Sequence, residues 1–117
     1  MGRHIACLTF DFDAMSGFIA RGMASPTPVS RGEFGANVGM PRILDLLARH
    51  RIPTSWFIPG HTLETYPEEC SRVADHGHEI GHHGWQHVSP ALLTRDGEEA
   101  ELVRANDRIK ALTGAGA

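Results

Sequence analysis

The chain of 117 residues predicts an α/β fold of βαβ units with right-handed crossovers, arranged as a parallel sheet or barrel. Two observations predict it. Three short apolar or β-branched runs alternate with stretches of helical periodicity, and ionisable residues follow each run, at the strand ends where such folds gather ligands.

The run Ile5 to Phe10 stops abruptly at Asp11, as a strand buried on both faces does where polar chemistry begins. From Ser16 to Gly39 the chain is rich in Gly, Ser, Pro and Ala without a sustained period, which predicts a long loop overhanging something. Pro41 suits a first helical turn, and Ile43, Leu44, Leu47 and Ala48 supply an apolar stripe ending before Pro53. Thr54 to Ile58 is β-branched and aromatic between Pro53 and Pro59-Gly60, which makes it the second strand, with Trp56 and Phe57 as packing residues. Pro67 to His76 reads as a helix with Glu68 and Glu69 in its first turn and Gly77 just beyond it. His78 to His82 is a weaker third strand. A long helix follows from Thr94 to Leu112, with Leu102, Ala105, Ile109 and Leu112 on one face and Gly114 after it.

Hydrophobic residues at 41% and charged residues at 21% suit one packed domain, residues 1–117, and argue against disorder. A net charge of −3 without a Lys/Arg run disfavours nucleic acid and anionic membrane as partners. The amino terminus offers no signal-peptide stretch and no run approaches a membrane span, so a cytoplasmic location is expected. Cys7 and Cys70 are read as reduced, buried small hydrophobes rather than a disulfide.

Histidine is in surplus, at 8 residues, against a single Lys and a single Tyr. About 0.5 HxxxH pairs are expected by chance at that abundance, so spacing alone decides nothing. His78 and His82, on one strand, would stand roughly 13 Å apart, too far to share an ion with ligand bonds of about 2 Å. His83 and His87 enclose Gly84-Trp85-Gln86, a segment that can turn and bring the two rings together. Asp11 and Asp13, spaced by two, point the same way in extended backbone, so one can ligate a cation while the other accepts a proton. One Asp with two His makes the three-ligand, open set of a catalytic zinc-like ion. His61, after the second strand, is a loop histidine able to face the site as a substrate-binding residue. Trp85 is divided between packing and an aromatic wall for a ring-shaped substrate. His4, His50 and His76 are surface or helix-end residues.

Thr9-Phe10-Asp11-Phe12-Asp13 after an apolar strand, and Gly81-His82-His83-Gly84-Trp85-Gln86-His87 after the third, resemble the first two motifs of the polysaccharide deacetylases, the NodB-homology or carbohydrate esterase 4 family. The intervening segments agree, and the HGWxH form resembles the subgroup that includes peptidoglycan-deacetylase-like and allantoinase-like members. The resemblance implies that Asp13, His83 and His87 bind a divalent metal, zinc above all, and that Asp11 is the general base. It implies hydrolysis of a carbon–nitrogen amide bond in a small-molecule or glycan substrate. The implied fold is the amino-terminal part of a deformed parallel (β/α) barrel, not closed, with about three of seven or so βα units. An Arg-containing third motif and a late general-acid His of the family have no counterpart before Ala117. The sequence is therefore expected to be a truncated domain, impaired in activity alone.

Two rival readings remain. A non-catalytic metal-binding fragment would need a complementing chain or a homo-oligomer. A haloacid-dehalogenase-like phosphotransferase would use Asp11 as nucleophile with Mg²⁺, but it leaves the His cluster unexplained, and its downstream Lys has only Lys110 to supply it.

Overall fold

The structure, a computed structural model, describes residues 2–117. Three strands, β1 (Thr9–Asp11), β2 (Ser55–Ile58) and β3 (Glu79–His82), form a parallel sheet in the order β1-β2-β3. Among the described residues, six α-helices accompany them: α1 (Ser16–Ala20), α2 (Pro26–Phe34), α3 (Met40–His50), α4 (Gly60–Thr65), α5 (Pro67–Asp75) and α6 (Arg95–Thr113). A π turn at Gly35–Gly39 joins α2 to α3, and a 3₁₀ turn at Pro90–Leu92 precedes α6. The register pairs Phe10 with Trp56 and Trp56 with Ile80, so these side chains share one face of the sheet.

That face carries the core. Trp56, 2% exposed, stacks on Phe10 at 4.8 Å and meets Phe12 edge-on, with Leu44, Leu47, Val73 and Ile80 in the same cluster. Truncating a buried aromatic of this kind costs about 3–5 kcal/mol. The alternate positions, Thr9 and Asp11 on β1 and Glu79 on β3, are exposed, with Ser55 and Phe57 only half-buried. The sheet is thus covered on one face and open on the other. Among the described residues it is not closed into a barrel, as expected for three βα units.

Several elements depart from the sequence reading. The first strand is shorter than Ile5–Phe10 and is not buried on both faces: Ile5 is 85% exposed and Leu8 47%. Helices cover only one side of it, so an apolar run was no guide to two-sided burial. Cys7 is accordingly exposed, whereas Cys70 is buried, and burial pushes its thiol up to about 12. Ser16–Gly39 is mostly helical rather than one long loop, with only residues 21–25 outside helix. Pro26 and Pro28 open α2, where a missing N–H is harmless, and the chain runs through the π turn straight into α3. Gly32 is there for space: a Cβ would stand 2.6 Å from Met15 backbone atoms. The Pro59-Gly60 turn launches α4, a helix the breaker residues concealed. On α6, Ala105 and Ile109 are buried as predicted, but the Leu102 side chain is 47% exposed, although its carbonyl accepts the His82 ring N–H.

Candidate metal centre

Asp13 sits two residues past β1. Phe12 continues the ladder, its N–H donating to the Phe57 carbonyl at 2.9 Å, and its buried ring anchors the strand end. The chain then turns sharply, with Ala14 in the left-handed region at φ +48°. Three donors hold the Asp13 carbonyl: the Ser16 N–H at 3.0 Å, the Ser16 hydroxyl at 2.8 Å and the Thr62 hydroxyl at 2.8 Å. Ser16 and Thr62 are fully buried, so the backbone under the Asp13 carboxylate is fixed from two helices.

The two histidines follow β3. His82 closes the strand: its Nδ1 accepts the Gly84 N–H at 3.0 Å, which leaves Nε2–H to donate to the Leu102 carbonyl at 2.9 Å. Gly84 and His87 both take left-handed backbone, at φ +68° and +62°. That double reversal turns the loop back on itself. The Gly60 N–H donates to the Gly84 carbonyl at 2.9 Å and the His61 N–H to the Trp85 carbonyl at 2.8 Å, so the start of α4 supports the loop from beneath.

Asp13, His83 and His87 come together. His83 Nε2 lies 3.3 Å from Asp13 Oδ1, and His87 Nε2 lies 3.3 Å from Asp13 Oδ2. The two rings meet edge-on at 4.9 Å between centroids, and one donor atom from each residue lies within 4.8 Å of the others. Two ligands about 2.0–2.1 Å from a tetrahedral ion stand about 3.3 Å apart. Asp13 Oδ1 and His83 Nε2 are buried without a hydrogen-bond partner, despite their proximity, which is what donors aimed at a shared third point show. The residues fit a divalent ion.

Asp11 is exposed at the end of β1, and its carboxylate has no partner among the described residues, so it stays available to a proton. It borders, with Asp13 and Arg31, a cavity of 260 Å³ beside the π turn. His61 lies at the start of α4 outside the three-residue cluster, with Nδ1 buried and unpartnered. Trp85 is 8% exposed. Its ring covers Gly60, where a Cβ would stand 2.2 Å from it, and the Arg104 guanidinium lies 3.4 Å from its ring centroid. A second cavity, 460 Å³, opens beside His83 and His87, with Val88, Pro90, Leu93 and Glu98 in its walls.

Glu101 also belongs to this neighbourhood, accepting the Trp85 N–H at 3.3 Å. Neither Glu101, Arg104 nor Thr62 carried a signal in the sequence; the Asp13-Ala-Met-Ser16 turn did, as a short polar residue three places after the ligand.

The sequence profile of the polysaccharide deacetylases matches residues 2–117. A peptidoglycan deacetylase of Helicobacter pylori is 42% identical over 106 residues, covering 89% of this chain and 36% of that protein. A Mycobacterium smegmatis structure assigned to the polysaccharide deacetylases superposes with a TM-score of 0.88 at 33% identity, over 94% of this chain and 40% of the other. A family 4 carbohydrate esterase from Bacillus anthracis superposes with a TM-score of 0.69 at 28% identity, over 92% of this chain and 42% of the other. The chain therefore spans about two fifths or less of the length of these relatives.

Proposed function

Because the chain belongs to the polysaccharide deacetylase family, matched over residues 2–117, we propose that it carries the metal and base half of an amide-hydrolysing site acting on an N-acetylated glycan. The single observation behind this reading is the convergence of Asp13, His83 and His87, with Asp13 Oδ1 and His83 Nε2 buried and unpartnered. A carboxylate and two imidazoles with a position left open make the ligand class of catalytic zinc, so zinc is the ion assigned. When bound, it supplies Lewis-acid polarisation of the amide carbonyl and acidification of a water.

The chain's own residues do the rest. Asp13 is committed to the ion, and its carbonyl is held by Ser16 and Thr62. Asp11, two residues earlier and exposed, accepts the proton of the attacking water. The cavity beside His83 and His87 receives the acylated group. The name of the Helicobacter relative, a peptidoglycan deacetylase, supports a glycan over a ureide. The two free thiols suit a reducing compartment, in keeping with a cytoplasmic setting.

A second reading, a metal-binding segment that turns over only when further strands cover it, is favoured by the open face of the sheet, where Thr9, Asp11 and Glu79 are exposed. One experiment separates them: zinc-loaded protein is assayed for acetate release from N-acetylated peptidoglycan and chitin oligomers. Release that disappears in Asp11→Asn, with zinc still bound, supports the first reading. Bound zinc without release supports the second, and phosphatase turnover without zinc would sink both.

A further inference from the structure

We propose that Glu101 and Arg104 of α6 are positioning residues of the metal centre, clamping the Trp85 peptide and so setting the separation of His83 and His87. The inference rests on the metal reading above and extends it to residues outside the two motifs.

The loop between the histidines is held against its own preference. His87 occupies left-handed backbone at φ +62°, which is unfavourable for a residue with a Cβ. Such a residue persists only where its surroundings over-determine it. Two sides supply that determination. From α4, the N–H groups of Gly60 and His61 bond the Gly84 and Trp85 carbonyls. From α6, Glu101 Oε2 accepts the Trp85 N–H at 3.3 Å, and the Arg104 guanidinium caps the Trp85 ring at 3.4 Å.

Glu101 and Arg104 are three residues apart, so they share a helix face and grip the same residue, one by its backbone and one by its ring. The ring also lies against Gly60, where a Cβ would stand 2.2 Å from it. Trp85 therefore has both backbone polar groups bonded and its ring in contact with Gly60 and Arg104. With the residue midway between the ligands locked, His83 and His87 meet an ion in a preformed pair. Without the α6 contacts the loop would have to be ordered by the ion, and affinity would fall by that ordering cost.

The test is cobalt(II) titration of the metal-free chain, read by visible absorption, alongside apo-protein melting. Glu101→Ala is expected to weaken cobalt binding about tenfold, the range seen when an outer contact of a metal site is lost. Glu101→Gln, whose amide oxygen accepts the same N–H, is expected to restore wild-type affinity. Glu99→Gln, an exposed change of equal charge on the same helix, leaves it unaltered. If Glu101→Ala fails to fold, Glu101→Asp replaces it, since the shortened carboxylate cannot reach Trp85. The clamp is overturned if Glu101→Ala or Glu101→Asp binds as wild type whatever its melting temperature, or if the Gln variant is as weak as Ala. Wild-type protein giving no cobalt spectrum overturns the metal reading itself, and the clamp with it.

Discussion

Two histidine regions lie at opposite ends of β3, and their chemistry differs although both sit in HxxxH spacings. At the entry, His78 is buried against Trp56 and takes part in a polar network: its Nδ1 accepts the Thr54 N–H at 3.3 Å and faces the Thr54 hydroxyl at 3.1 Å, while that hydroxyl accepts the Trp56 indole N–H at 2.9 Å. At the exit, His83 and His87 direct Nε2 atoms at the two oxygens of Asp13. His78 is held through Nδ1 and ties β2 to the start of β3. His83 and His87 leave donor atoms for something else. Spacing distinguishes neither, nor does an unpartnered nitrogen, since His78 Nε2 is also buried without a partner; what separates them is that, among the described residues, only His83 and His87 converge with a carboxylate.

The sharpest way to break this contrast is to remove ligands at one end and network members at the other. His83→Ala or Asp13→Ala should weaken zinc binding more than about 100-fold, beyond the range for outer contacts, by calorimetric titration. His78→Gln should leave zinc affinity unchanged, and a loss there would merge the two regions.

Thr54→Val should do the opposite. It leaves the buried Trp56 indole N–H without an acceptor, a loss of about 1–3 kcal/mol in urea unfolding, with zinc affinity intact.

The pH response sharpens the same comparison in metal-free protein. Burial, and then the neighbouring His76, hold the His78 pKa below its ordinary 6.5. The unfolded chain therefore takes up the proton more readily than the fold. The stability from keeping His78 neutral is whole above pH 6.5 and declines as pH falls from there toward the lower folded value. Urea midpoints across that range should fall, with a shallower fall in His78→Gln.

The smallest effect concerns backbone at the exit. Ala14 carries φ +48° beside Asp13, so Ala14→Gly should raise stability by about 0.5–1 kcal/mol in the same assay, without weakening zinc. Unchanged stability would mean that the turn bears no strain.

Much of the site was legible because it depends on local order. Asp13 is two residues past a strand end, and His83 and His87 flank a glycine-led turn, so their presence at one sheet edge follows from parallel topology. The helices Ser16–Ala20 and Pro26–Phe34 were not legible. Their glycines and prolines read as loop, yet Gly32 answers a 2.6 Å approach to Met15 and Pro26 only starts a helix. Composition carries no record of which neighbour a glycine must admit. Trp85 was evenly divided between packing and substrate on sequence, and its contacts with Gly60 and Arg104 depend on residues 25 positions before and 19 after it.

By itself, then, the sequence determined the strand–helix alternation and the pairing of His83 with His87, because both rest on spacing within a few residues; the choice of Asp13 over Asp11 came with the family resemblance. Only the tertiary structure decided that Ser16 and Thr62 brace Asp13 and that α6 packs on the histidine loop. Those contacts join residues up to 49 apart along the chain, such as Thr62 and Asp13, and are chosen by how the helices come to rest on the sheet.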